Sequence, residues 1–225
     1  RPLQSGQKNL VWDGTGDTNG DGVAETFWEE ITLSPDGLNL VDHWFNAEPF
    51  MDRLLYYNAN TPTIPSRDTW VASDILDYTS FDDPYQVIRT NAAESDFITR
   101  IFAYFRQSVI VFKSQSIYQV QFFDTVPFNY SQRELTGSLG SIGNKMPIEV
   151  GGDIFFLSPP GGFYRLTEVI QENITVLPVA ISEPIQPVIE QINWAVTVLK
   201  GCSAVLDNYV LFGVALGVGS RACNA

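Results

Sequence analysis

Apolar residues in this chain come in short dense runs broken by turn chemistry, not in long amphipathic stretches. Three runs repeat one design: SVIVFKSQSIYQVQ from Ser108, GDIFFLSPPGGFYRLTEV from Gly152 and DNYVLFGVALGVG from Asp207. Each opens with β-branched and aromatic residues and then breaks at polar, Gly or Pro residues. In the first two a second run follows, ending in Tyr and an aliphatic residue. All three predict hairpins. Their recurrence at intervals of roughly forty to fifty-five residues predicts an all-β array of stacked or radial sheets.

The rest of the chain fills in around these units. Residues 1–39 are rich in Gly, Asp, Asn and Thr and predict short strands between long turns, set apart from a β-rich body over 40–225. DRLLYYN, from Asp52 to Asn58, predicts a strand with Leu54 and Tyr56 on one face and Leu55 and Tyr57 on the other. TPTIPSRD follows as a Pro-containing loop, and WVASDILDYTSFDD as a short strand with a turn-rich exit. The density of Ile, Val, Phe and Tyr between Glu94 and Val120 predicts three strands. A loop through Pro127 and the tract GSLGSIGNK leads into two more strands bracketing Pro159 to Gly162. The one helix expected lies in SEPIQPVIEQINWAVTVL, about 183–195, with Ser182 as N-cap and Ile185, Val188, Ile189 and Ile192 at helical spacing. Pro187 sits early enough in it to remove a donor that has no intrahelical partner.

Composition sharpens this picture. The chain has 225 residues, 44% of them hydrophobic, enough to bury a core. Its net charge is −13 and its pI about 4.3, which disfavours a nonspecific grip on DNA phosphates. Cys202 and Cys223 are the only cysteines, without the paired spacing of a zinc site, and are expected as free buried thiols. No apolar run reaches the length of a membrane span. The chain begins at Arg1 without Met and stops at Ala225 just after a strand-like run, so a piece of a longer or processed polypeptide is expected.

DRLLYYN, WVASDILDYTSFDD, SDFITRIFAYFRQSVIVFKSQSIYQV and GSLGSIGNKMPIEVGGDIFFLSPPGGFYRL together resemble the β-propeller hub, nozzle and packaged-DNA-stabilising proteins of tailed-bacteriophage tails. The residues that carry the resemblance are Arg53, then Trp70, Ser73 and Asp74, then Phe112, Lys113, Ser116, Ile117 and Tyr118, and finally Gly152 to Ser158 with the following Gly-Phe-Tyr-Arg-Leu. It spans about Asp52 to Gly217. The resemblance implies propeller blades, a ring of copies, commonly six, around the channel through which the genome leaves, and contacts with neighbouring tail proteins in the virion. It also implies DNA that passes without being specifically bound. The strand that would close the last blade after Ala225 is missing, so the propeller is expected to be incomplete within this chain or completed by a strand from another.

Candidate chemistry is sparse, and no catalytic residue is assigned. Asp17, Asn19, Asp21, Val23 (through its carbonyl) and Glu25 have the alternate spacing of oxygen ligands around a hard cation, calcium above all. The helical EF-hand pattern fails because Trp28 stands at the twelfth position. The same residues, Asn19-Gly20 and Asp21-Gly22, also serve a plain hairpin turn. His43, the lone histidine, lies beside Asp42 and Trp44 with no nucleophile-elbow serine or cysteine in the chain, and packing against Trp44 is expected. Asp77, Asp82, Asp83 and Asp124 have the chemistry of a glycosidase pair, but loop solvation accounts for them.

Gly137, Gly140 and Gly143 lack Walker spacing and precede a strand, not an anion-holding helix. Asn129-Tyr-Ser131 and Asn173-Ile-Thr175 match glycosylation triplets that chance also produces. The 13% aromatic content falls mostly on strand positions, where core packing is expected over sugar stacking. The function expected is structural, in a phage tail. The alternative is a calcium-dependent carbohydrate- or receptor-binding propeller module.

If Asp17, Asp21 and Glu25 enclose calcium, titration calorimetry records heat on calcium addition and the melting temperature drops in chelator. No heat together with unchanged melting removes the ion.

Overall fold

Antiparallel strands joined to their sequence neighbours make up nearly all of the regular structure. The computed structural model describes residues 9–12, 28–31, 44–59, 68–76, 87–91, 96–104, 108–124, 129–159, 161–170, 173–176, 181–207 and 209–217. The chain separates into two units, Arg1–Arg89 and Thr90–Ala225.

In the first unit β1 (Asn9–Trp12) pairs with β2 (Trp28–Ile31), Trp12 opposite Trp28. A four-stranded meander follows: β3 (Trp44–Phe50), β4 (Arg53–Ala59), β5 (Thr69–Ala72) and β6 (Val87–Arg89). β3 and β4 turn through Met51 and Asp52 at φ 48° and 58°, the left-handed backbone that a two-residue hairpin turn demands. Leu55, Trp70, Val71, Ala72 and Ile88 are fully buried, and Arg53 and Leu54, at the start of the interior strand β4, are tied to Ser73 just beyond β5. The Leu54 N–H donates to Ser73 Oγ at 2.9 Å, Ser73 N–H returns to the Leu54 carbonyl at 2.9 Å, and buried Arg53 donates through Nη1 to the Ser73 carbonyl at 2.6 Å. Arg53 and Ser73 are thereby brought together as structural pins of the sheet in which Trp70 is buried.

The second unit begins with the meander β7 (Ile98–Tyr104), β8 (Ser108–Lys113), β9 (Ile117–Asp124) and β10 (Asn129–Thr136). The three strands expected between Glu94 and Val120 are present. All six residues of β8 are buried, which is why SVIVFK reads as a continuous apolar run: a central strand covered on both faces has no solvent side to alternate with. β10 lies in a stretch expected as loop. Its sequence NYSQRELT is polar and mostly exposed, as an edge strand tolerates, so no apolar alternation announces it.

A second meander follows: β11 (Ile148–Val150), β12 (Asp153–Ser158), β13 (Gly162–Ile170) and β14 (Asn173–Val176). Its register puts Ile154 opposite Leu166 and Phe156 opposite Tyr164 on one face, and Leu157 opposite Phe163 on the other. The first face packs on β7–β9, joining Phe102, Tyr104, Ile110, Phe112 and Ile117 in one core. Phe112 meets Phe102 at 6.1 Å and Phe156 at 5.3 Å, both edge to face. The opposite face packs on the C-terminal elements, where Leu157 and Phe163 meet Ile189, Ile192 and Phe212.

The expected helix is present as two short pieces. A 3-10 turn (Glu183–Ile185) runs into α1 (Gln186–Ile189), and α2 (Trp194–Lys200) follows after a break. The break has a partner: Ile192 bridges Leu216, Asn193 N–H donates to the Ala215 carbonyl and Gly217 N–H to that of Gln191, both at 2.8 Å. Ser182 does not cap the helix; its Oγ accepts from Phe163 N–H at 2.9 Å, tying the segment to β13. Ile189 and Ile192 are buried as the spacing predicts, whereas Ile185 and Val188 are exposed.

The third expected hairpin is also corrected. DNYVLFG supplies one strand, β16 (Tyr209–Gly213), and its partner β15 (Cys202–Leu206) precedes it. The fold is thus all-β with propeller-like four-stranded sheets, none closed, and a two-stranded sheet at the end of the second unit.

Burial pushes the Tyr56 phenol up to about 12. A phenol with an ordinary unfolded value near 10 then stabilises the fold fully below about pH 10. That contribution is lost as pH rises toward 12, because only the unfolded chain ionises. Urea unfolding should record level stability up to about pH 10 and a decline above it, with a shallower decline in Tyr56→Phe.

Candidate assembly surface

α2 starts at Asn193, whose Oδ1 accepts from Val196 N–H at 3.4 Å, and ends at Gly201, whose N–H reaches the Thr197 carbonyl at 2.7 Å. Gly201 is required by crowding: a Cβ there would lie 2.5 Å from that carbonyl and 2.9 Å from Met146 Sδ. One face of α2 is fixed by buried Thr197, whose Oγ1 accepts from Ala215 N–H at 3.0 Å. The other face presents Val198 and Leu199, the latter 82% exposed.

β15 and β16 turn through Asp207 at φ 51° and its neighbour, with Leu206 opposite Tyr209. Directly opposed residues share a face. Phe212 points inward, its ring 4.5 Å from that of Phe163. The outward face is therefore Cys202, Ala204, Leu206, Tyr209 and Leu211, with Tyr209 69% and Leu206 59% exposed. Cys202 is free and exposed, not buried as expected, because it lies on this uncovered face. Neither strand carries a charged residue. Val198 and Leu199 on α2, Leu206, Tyr209 and Leu211 on one face of the hairpin and Val205 on its other face are the exposed large apolar residues of this C-terminal segment, a density that suits a binding surface.

A second cluster of chemistry-bearing groups surrounds Lys113, whose side chain is wholly buried. Its Nζ donates to the carbonyls of Thr90 at 3.1 Å and Asn91 at 2.7 Å and lies 3.9 Å from Asp96 Oδ2. Asp96 accepts in turn from Ser114 Oγ at 2.9 Å, Gln115 N–H at 2.8 Å and Ser116 Oγ. Beside it Tyr118 donates to Glu134 at 2.8 Å and accepts from Asn91 Nδ2 at 2.5 Å; burial, with the Glu134 carboxylate adding to it, pushes the phenol upward. An ammonium with three proton acceptors around it and a carboxylate with three donors is a satisfied structural node. Lys113, Ser116 and Tyr118, singled out in the sequence, meet here. Gly140 backs the same node, since a Cβ would stand 2.3 Å from the Lys113 carbonyl.

Asp17, Asn19, Asp21, Val23 and Glu25 lie outside the described residues, in the segment that joins β1 to β2. His43, Asp77, Asp82, Asp83 and Cys223 also lie outside them. Asp124 ends β9, opposite Asn129. Among the described residues no three or more His, Cys, Asp or Glu side chains gather as a metal would require, and no helix is long and apolar enough to cross a membrane. The exposed surface was missed from sequence because YVLFG and CSAVL have the composition of core strands.

Truncating one partner of the buried pair leaves the other charge uncompensated. Asp96→Ala should lower stability by about 3–5 kcal/mol in urea titrations, and adding Lys113→Met should recover part of that loss.

No protein-family model matches the chain, and no curated protein is similar to it.

Proposed function

We propose that this chain is a structural component of a bacteriophage tail, part of a hub, nozzle or adaptor ring below the portal that lines or seals the DNA exit channel. The observation that carries this reading is the charge-free apolar face of the hairpin β15–β16, formed by Leu206, Tyr209 and Leu211, with Leu199 also exposed on the preceding α2. An apolar face that no described residue covers is stabilised by a neighbour that covers it, by up to about 1.5–3 kcal/mol for a fully exposed Leu side chain. Work of this kind is mechanical: subunits hold one another through apolar faces and leave DNA to pass.

The net charge of −13 supports the same reading. Acidic channel walls repel phosphates within a screening length of about 8 Å at physiological salt, which keeps the genome mobile. Ring assembly is also what heterologous contacts between identical subunits produce when the rotation closes.

The chain mixed with its adjacent tail proteins should form rings in single-particle images and native mass spectra. Leu199→Asp with Leu206→Asp should abolish the rings while shifting stability by only about 0.5 kcal/mol, because both side chains are already in water. Monomers alone at high concentration with those proteins present would count decisively against the tail role.

A further inference from the structure

We propose that copies of this chain bind one another head to tail, the surface that carries Val198, Leu199, Lys145 and Lys200 on one copy receiving the helical segment that carries Ile185, Val188, Glu183 and Glu190 on the next. The partner is thus a second copy. The contact deepens the ring reading above and rests on it only for closure of the ring.

The receiving surface is basic on an acidic chain. Lys and Arg number 13 against 26 Asp and Glu, yet two of these cations, Lys145 and Lys200, stand exposed on adjoining stretches of backbone. Ser203 donates to the Lys145 carbonyl through its N–H at 2.8 Å and its Oγ at 3.0 Å. A Cβ on Gly143 would lie 3.2 Å from the Val198 carbonyl oxygen, and one on Gly201 would lie 2.9 Å from Met146 Sδ, so residues 143–146 run along the C-terminal end of α2. Arg100 is anchored on the same loop, its Nη1 donating to the carbonyls of Asn144 at 3.0 Å and Pro147 at 3.2 Å. Residues 138–147 and 194–206 contain no Asp or Glu, and Asp207 lies at the turn end of the hairpin, away from the Cys202 end that α2 enters. Among these cations α2 exposes Val198 and Leu199.

The helical segment has the opposite sign. Ile181, Ile185 and Val188 are exposed on it, while Ser182 and Ile189 are buried and fix its inner side, the first by accepting from Phe163 N–H and the second in the core beside Leu157. Ile185 and Val188 are neighbours at a spacing of one turn. Glu183 and Glu190, both exposed, are the only charged residues between Ile181 and Asn193.

Each surface therefore combines apolar side chains with charges of a single sign, and the signs are complementary. Helical segment on helical segment would set the carboxylates of both copies together, and loop on loop their ammonium groups, so like pairings are disfavoured and the unlike one remains. A contact between two different patches of identical chains is heterologous, the kind that closes rings or runs on as filaments. Two chains of net charge −13 repel, and contact between them needs a place where the local sign reverses, which Lys145 and Lys200 supply.

Sedimentation of the full chain alone, up to about 0.5 mM, should show the average mass rising above 25.1 kDa with concentration and falling back as salt is raised. Glu183→Lys with Glu190→Lys makes both surfaces basic, and Lys145→Glu with Lys200→Glu makes both acidic. All four side chains are exposed, so far-UV spectra and melting should match the wild type. Each variant alone should associate at least tenfold more weakly, and an equimolar mixture should recover assembly, with native mass spectra showing the two variants in alternation. Both variants remain net acidic, so bulk attraction does not account for the recovery. Leu199→Asp added to the Lys145→Glu, Lys200→Glu chain should remove it, because the contact is apolar as well as charged. A chain that stays monomeric at every concentration, variants that associate like the wild type, or a mixture that fails to recover overturns the proposal. Monomers here together with rings in the presence of the adjacent tail proteins would overturn this contact and leave the tail role standing; recovery here without rings there would do the reverse.

Discussion

A sheet that is apolar on both faces has to be covered twice, and this constraint organises the second unit. Alternation along β12 and β13 sends Ile154, Phe156, Tyr164 and Leu166 to one side and Leu157 and Phe163 to the other. The β7–β10 sheet covers the first side through the aromatic contact of Phe112 with Phe156. The hairpin β15–β16 and the helical segment cover the second. The last layer is only two strands wide, and its outward side carries Leu206, Tyr209 and Leu211 into solvent. Covering one layer therefore transfers the problem to the next, and the series ends where the described chain offers nothing further to cover it.

Polar groups inside this stack serve alignment. Lys113 at the end of β8 holds the carbonyls of Thr90 and Asn91 and faces Asp96, which gathers the Ser114 to Ser116 turn. Arg53 and Ser73 do similar work in the first unit. Their burial makes them intolerant of loss, because each leaves a charge or donor without water. They resemble functional residues in sequence, where a Lys or Arg amid apolar strands stands out, yet they donate to backbone carbonyls of this chain.

The outward face of the hairpin β15–β16 offers apolar area without direction, suited to a broad contact more than to one partner strand.

Strand content, the hairpins from Ser108 and Gly152 and the all-β class were legible in the sequence, because β-branched and aromatic runs broken by turn residues impose period and punctuation locally, whereas the third hairpin was misplaced because the partner of DNYVLFG precedes it. SVIVFK announced a strand, and DRLLYYN the two faces of another. The polar β10 strand was not legible, because an edge strand needs no apolar signal, and neither was the division of the helix, since Ile192 is diverted by a residue twenty-four positions away. The pairing of Lys113 with Asp96 and the exposure of Leu206 and Tyr209 were decided only by tertiary structure. Composition records that a residue is apolar or charged; which of its faces another layer covers depends on chain segments that sequence spacing does not bring together.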